Sequence, residues 1–462
     1  MKKLSFQYWY QRLLKADPWY IAGSALLLML AALRLWHITQ PAEVVFDEVY
    51  FPLDAQKYLA GQGYFDIHPP LAKWLIALAE WLFGYHTAAP YEQAGVTAQT
   101  LLCPVTNPCV YTFSWRIVPF LSGVGLLTIM WLLVSRVTKS WQAAFITLVV
   151  LGFDGLLFIY SRLGLMDGIL YFFVFTSFYT FVVALDQKKK LKQALFILLS
   201  GIFAGCAIGV KWLGLASVIL AGIWFLCKCW QQYCGTGKEK NISRWTWLSV
   251  LGALVLAALT YVVTFIGEGA NWAQLSKDIY VPFNNFWDGI REWHNQAFLF
   301  NKNLKDTHPY GSTWWTWPLM IRPIWYYYQQ DAAGMIKGIL TMGTPFIWWS
   351  AFASFLFTLF FIWPKDLWQK CLLYSSILMY IPWVFINRVS FLYYFMGVAT
   401  VWQLLLAYNL WLLAQKPRWR WVVVVILCAF VLCFFAFYPL FTAMPISRNY
   451  FETILWFVKW RS

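Results

Sequence analysis

From Val44 to Lys73 the chain reads VVFDEVYFPLDAQKYLAGQGYFDIHPPLAK. An acidic pair, Asp47–Glu48, stands just after the first long apolar stretch, Trp19 to Trp36. Further on, His68-Pro69-Pro70 precedes an amphipathic run that ends near Tyr85. Most of the surrounding chain suits hydrocarbon, so a segment this polar stands apart. We read it as an active-site loop on one face of a membrane.

Composition supports that setting. The chain has 462 residues, 61% hydrophobic and 12% charged, whereas soluble domains carry about 25% charged residues. This is the make-up of a polytopic membrane protein. Aromatics reach 21%, with 31 Trp, part of which is the interfacial belt of membrane helices. The net charge of +15 fits cytoplasmic loops facing anionic lipid rather than a nucleic-acid partner. Trp19–Trp36 is too long for a signal-peptide core and lacks a small-residue cleavage site, so it is expected to remain as an anchor.

At about twenty apolar residues per span, the sequence predicts about eleven membrane helices. They fall near 18–37, 113–135, 141–160, 165–185, 192–209, 212–230, 245–266, 341–363, 369–386, 391–414 and 420–440. The run 71–85 is short and holds Lys73 and Glu80, which suits a helix lying in the interface. The positive-inside rule then places the N-terminus, with Lys2, Lys3, Arg12 and Lys15, in the cytoplasm. Arg136, Lys188–Lys190, Lys238, Lys370 and Arg418 fall on the same side. The opposite, extracytoplasmic side of the cell membrane receives two long loops, about 38–112 and 267–340, and loops of that length are usually functional. The expectation is an all-α integral membrane protein, residues 1–462 forming one polytopic unit. No internal repeat is visible, which argues against a transporter. Cys103 and Cys109, in LLCPVTNPC, lie in the first long loop and suit a disulfide in an oxidising compartment. Cys227, Cys229 and Cys234 match no familiar zinc spacing, and no metal is expected.

Two groups of residues suggest chemistry. Asp47 and Glu48 sit among Val45, Phe46, Val49, Tyr50 and Phe51, and a carboxylate in an apolar rim is the setting of a general base. His68 initiates a proline turn and can also bond an acidic partner or a phosphate. Arg116, Arg162, Lys211 and Arg388 all fall near the extracytoplasmic ends of spans, with Asp167 close to Arg162 in SRLGLMD. A charge inside a span costs about 2.5–3.5 kcal/mol on insertion scales, so each must be paired, functional or snorkelling to the interface. Several on one face beside carboxylates point to an anionic ligand, and arginine suits bidentate phosphate binding. In the second loop, His308-Pro309-Tyr310-Gly311-Ser312 leads into Trp314-Trp315-Thr316-Trp317-Pro318. That cluster is either an aromatic membrane anchor or a stacking surface for a sugar or acceptor chain.

With these residues in place, the chain resembles the protein O-mannosyltransferase family. FDE at 46–48 and YFDIHPPLAK at 64–73 match the family's acidic motif and its HPPLGK-type segment. YTFSWRIVPFLSG, SRLGLMD, AIGVKWLGL, HPYGSTWWTWP and NRVSFLYYFMGVA follow in the family's order. The resemblance implies a GT-C type glycosyltransferase with eleven spans. It gives Asp47 the role of catalytic base, Glu48 that of orienting the acceptor or the loop, and Arg116 a role in binding or in positioning that loop. Ala72 replaces the glycine of HPPLGK, and Tyr393-Tyr394 replaces the usual histidines. The second loop is too short for an inserted β-trefoil domain, so the expected form is the compact, bacterial type. Several family members work as dimers, which leaves the oligomeric state open.

The expected reaction is transfer of a mannosyl (hexosyl) residue from a polyprenyl-phosphate donor to Ser or Thr hydroxyls of a translocated protein, with inversion. Asp47 takes the hydroxyl proton. Arg116, Arg162, Lys211 and Arg388 are the candidates for the donor phosphate, and His68, Asp167, His308, Trp314 and Trp315 support the site or bind acceptor. No cofactor is expected, since the lipid-linked sugar is a substrate. The alternatives are transfer to a lipid acceptor and, from another class, a polyprenyl-sugar transporter.

Overall fold

A computed structural model of the chain describes residues 17–83, 112–234, 242–280, 282–304, 307–362, 364 and 366–461. Cys103 and Cys109 lie outside the described residues.

Nine helices among the described residues are long and apolar enough to cross a membrane. In chain order the helices are α1 (Pro18–Leu35), α2 (Phe51–Leu59), α3 (Leu71–Phe83), α4 (Thr112–Thr138), α5 (Trp141–Gly152), α6 (Gly155–Tyr160), α7 (Met166–Leu185), α8 (Lys190–Val210), α9 (Ala216–Tyr233) and α10 (Arg244–Val263). After α11 (Gly269–Asp278) and α12 (Phe286–Asn303) comes a hairpin, β1 (Ile324–Gln330) and β2 (Ile336–Thr341). The chain then continues through α13 (Pro345–Phe357), α14 (Leu367–Tyr380), α15 (Met396–Ala414), α16 (Arg420–Phe441) and α17 (Arg448–Ile454).

Two expected spans are interrupted. The stretch 141–160 divides into α5 and α6 at Phe153–Asp154. The backbone groups freed there find partners, as a break at membrane depth requires. Asp154 caps α6 by accepting from Leu157 N at 3.0 Å. Thr344 Oγ1 accepts from Gly155 N at 3.1 Å and donates to Phe153 O at 2.7 Å. The stretch 369–386 becomes α14 followed by a 3-10 turn, Ile381–Phe385, where Pro382 removes a donor.

Close packing of α8 on α10 rests on small residues. A Cβ on Gly201 would lie 2.3 Å from Ala253 O, and one on Gly205 2.5 Å from Ala257 O. With no water to escape inside the bilayer, membrane helices associate through this kind of close approach between small residues. The hairpin is the feature that hydropathy and span counting miss. Its register slips between Trp325, paired with Leu340, and Tyr327, paired with Ile339, so Tyr326 has no partner across the ladder. The strand is tied to the end of the chain: Trp325 Nε1 donates to Trp460 O at 3.0 Å, and Trp460 Nε1 to Met320 O at 2.7 Å.

Candidate active site

The acidic pair lies on a 3-10 turn, Phe46–Val49, between α1 and α2. That turn sends its two carboxylates to different places. Glu48 is fully buried and accepts five hydrogen bonds. Arg116 Nε and Nη2 donate at 2.8 Å each, Gly164 N at 2.7 Å, Val45 N at 3.0 Å and Trp115 Nε1 at 3.2 Å. Position 164 must be glycine for this, since a Cβ there would sit 2.6 Å from the Trp115 ring.

Arg116 completes the cage. Its remaining donors go to carbonyls of the loop: Nη1 to Ile38 O (3.1 Å) and Pro41 O (2.9 Å), and Nη2 to Glu43 O (2.9 Å). All five N–H groups are spent, so none is left for a phosphate. Of the two roles expected for Arg116, the geometry fits positioning the loop. Arg162 likewise turns away from a ligand role. It is buried, its Nη1 meets the carbonyls of Arg34 and Trp36 at 2.7 Å, and its Nη2 meets His37 O at 2.8 Å. It closes the exposed carbonyl end of α1, where a cation is favoured.

Asp47 has the opposite character. Its carboxylate is half-buried and makes no hydrogen bond among the described residues. Burial pushes its pKa up to about 6; the Lys211 ammonium opposes the rise, and Asp167 and Asp66 add to it. The activity that needs Asp47 ionised should therefore rise as pH increases through about 6, which a pH profile of kcat/KM measures.

The groups acting on Asp47 come from three separate segments. Lys211, between α8 and α9, donates to Asp167 Oδ2 of α7 at 2.7 Å. Its ammonium lies 5.9 Å from the ring centroid of Tyr393. Asp66, ahead of α3, accepts from Lys73 Nζ at 2.6 Å and is bonded to His68 Nδ1 at 3.0 Å. Burial raises the Asp66 pKa, but Lys73 and His68 outweigh it and hold this carboxyl well below the usual range. His68 thus engages an acidic partner, and Lys73 Nζ also donates to His68 O at 2.9 Å. Asp54 of α2 is a further buried carboxyl, lifted to about 7 by burial against the pull of Lys73.

Arg388 lies on a later segment and reaches the site through Tyr394, whose ring is 4.7 Å from that of Tyr393. It is half-buried, donates through Nη2 to Tyr394 OH at 3.3 Å, and lines an open groove with Trp314, Trp315 and Trp383. His308 lines the adjoining part of the groove, with its ring against Phe391. Trp315 is largely exposed, whereas Trp314 packs edge-on to Tyr380. Sequence alone does not mark as site residues two tyrosines that act on Asp47, Tyr326 and Tyr393, or Tyr160, which packs against both. Tyr160 and Tyr326 share a hydroxyl–hydroxyl hydrogen bond of 2.5 Å, and the rings of Tyr160 and Tyr393 are 6.1 Å apart. Hydropathy does not separate a tyrosine that faces a site from one in the interfacial belt. Among the described residues no three His, Cys, Asp or Glu side chains converge as metal ligands.

Residues 24–266, more than half of the chain, match the family described as dolichyl-phosphate-mannose-protein mannosyltransferase. The chain belongs to this family. Residues 286–376 also match the C-terminal four TMM region of protein-O-mannosyltransferase. Among individual members, the polyprenol-phosphate-mannose–protein mannosyltransferase of Mycobacterium tuberculosis is 26% identical, covering 96% of this chain and 92% of that protein. Its Corynebacterium glutamicum counterpart is 25% identical over 86% of this chain and 81% of its own length. The fold agrees. The Saccharomyces cerevisiae protein O-mannosyltransferase Pmt1-Pmt2 complex bound to the sugar donor aligns with a TM-score of 0.78 and 16% identity, over 96% of this chain and 93% of that one. ArnT from Cupriavidus metallidurans, bound to undecaprenyl phosphate, aligns at 0.54 and 14% identity, over 89% of this chain and 63% of that one. Membership gives the enzyme class, a mannosyltransferase, and the structural alignments show the fold.

Proposed function

We propose that this protein mannosyltransferase moves a mannosyl residue from a polyprenyl-phosphate donor to a Ser or Thr hydroxyl of a translocated polypeptide, on the extracytoplasmic face of the cell membrane. The observation that carries the assignment of the base is the Asp47 carboxylate: it is lifted by burial and has no hydrogen-bond partner among the described residues, and the Lys211 ammonium acts on it. A hydroxyl is a weak nucleophile until a positioned base takes its proton. Asp47 takes that proton, the hydroxyl oxygen bonds to the anomeric carbon, and the bond from that carbon to the phosphate oxygen breaks on the far side. The anomeric configuration inverts.

The departing lipid phosphate gains negative charge, and preorganised cations stabilise it. Lys211 spends one donor on Asp167, and Arg388 spends one on Tyr394; both keep others for a phosphate oxygen. With these two cations the step has no need of a metal. The groove of His308, Trp314 and Trp315 offers an aromatic surface for the acceptor. Orientation follows from charge. Arg136, Lys188–Lys190 and Arg418 cluster at the helix ends remote from the acidic turn, the cytoplasmic side by the positive-inside rule.

The test is transfer of radiolabelled mannose from synthetic polyprenyl-phosphate mannose to a Ser/Thr-rich peptide, with and without a chelator. Label on the peptide in both samples is expected. Label found only in glycolipid would replace the protein acceptor with a lipid one, and loss of transfer on chelation would restore a metal. Lys211→Gln and Arg388→Gln should each lower kcat/KM for the donor, by up to about 10²-fold, as loss of one oxyanion donor does.

A further inference from the structure

The hairpin meets the acidic turn through one residue. Phe46, directly before Asp47, has φ of 52°, a left-handed conformation that a bulky L-residue keeps only when its surroundings enforce it. Its ring lies flat on Tyr326, with centroids 3.9 Å apart and planes at 10°. Tyr326 is itself nearly fully buried, and its hydroxyl is held by that of Tyr160 at 2.5 Å, so the ring has no room to swing.

The strand delivers Tyr326 by an irregularity. Successive side chains of a regular strand point to opposite faces, yet Trp325 and Tyr326 are both buried. The register slip at this point leaves Tyr326 out of the ladder, and such a bulge re-aims a side chain. Next along, Tyr327 OH lies within hydrogen-bond distance of Glu43 Oε1 (3.2 Å) as well as of Gln329 Oε1 (2.8 Å), which brings the strand to the same loop a second time. Arg116 and Glu48 fix the turn from within, and among the described residues neither side chain hydrogen-bonds the Asp47 carboxylate.

We infer that Tyr326 is a positioning residue for Asp47: its ring, presented by the β1 bulge, holds Phe46 in the left-handed conformation and thereby fixes where the Asp47 carboxylate lies. This rests on Asp47 being the base. The charged groups facing Asp47 are Lys211, Asp167 and Asp66, with the titratable Tyr326 and Tyr393 also acting on it. Lys211 is bonded to Asp167, and Asp66 to Lys73 and His68, so none of the three is hydrogen-bonded to Tyr326.

The experiment uses the full chain in nanodiscs, with two readouts. Hydrogen exchange across 44–50 needs no substrate, so it stands even if the assigned reaction fails. Tyr326→Leu and Phe46→Ala should each speed that exchange roughly tenfold, the signature of local opening. In the transfer assay both should lower kcat by about 10²-fold, as a misplaced catalytic group does, with donor KM little changed. The acid limb of the pH profile should move below pH 6 as water reaches Asp47. Tyr326→Phe keeps the stacked ring and should restore exchange and acid limb to those of wild type. Wild-type exchange across 44–50 in folded Tyr326→Leu would overturn the inference. So would Tyr326→Phe proving as damaging as Tyr326→Leu, since the hydroxyl and not the ring would then be at work. Should Tyr326→Leu not fold, Phe46→Ala removes the same stack from the other side, and wild-type exchange there would overturn the inference equally.

Discussion

Asp47→Asn is expected to lower sugar transfer by about 10²- to 10⁴-fold, the contribution of a positioned general base, while leaving the protein at least as stable as wild type. The second half of that statement is the more diagnostic. Folded Asp47 has its pKa near 6, above the ordinary 3.8. A group raised in this way contributes stability when protonated and loses it as pH climbs through the folded value. Above pH 6 the ionised side chain therefore costs folding energy, at most about 3 kcal/mol from the size of that rise. Asparagine removes the charge and keeps the shape. Thermal unfolding at pH 7.5 should then occur at the same or a higher temperature in Asp47→Asn, and the difference should vanish toward pH 4. A lower unfolding temperature at pH 7.5 would mean that Asp47 is a structural carboxylate.

Glu48→Ala should behave in the reverse manner. It leaves Arg116 buried with an uncompensated charge, and breaking a buried pair by removing one partner costs about 3–5 kcal/mol. Gly164 N, Val45 N and Trp115 Nε1 lose their acceptor at the same time. Removing both members would not repair the damage, because Arg116 also serves the carbonyls of Ile38, Pro41 and Glu43. Glu48→Ala should thus give poor recovery of folded protein and a lowered unfolding transition at every pH where Arg116 is charged. Adjacent carboxylates with opposite responses would separate chemistry from scaffolding within one dipeptide.

The sequence made some of this visible and concealed the rest for physical reasons. Long apolar runs mark helices because each must satisfy its own backbone in lipid, so the span positions of α1, α4, α7, α8, α10 and α16 could be read directly. Local interruptions such as Phe153–Asp154 leave hydropathy nearly unchanged, so hydropathy alone gives one span there. FDE and HPP stood out because polar groups are rare in such a chain. What they touch did not, since the partners of Glu48 come from positions as distant as Arg116 and Gly164. The basic residues show the limit most clearly. Arg116, Arg162 and Lys211 look alike as isolated cations at helix ends, yet the first two are turned onto backbone carbonyls at and after the end of α1 and the third onto the Asp167 carboxylate. Only the identity of the acceptors tells them apart.

The clamp on Phe46 also has an order in time. The acidic turn is synthesised well before Tyr326. The strand that carries Tyr326 is pinned later still, by Trp460 and by the Ile336–Ile446 bridge. During biogenesis the nascent chain therefore passes through a long interval in which Asp47 is present and unaligned. A chain released before Tyr326 would lack both this clamp and Arg388, so the base and its phosphate partner come into register only when the last spans are made.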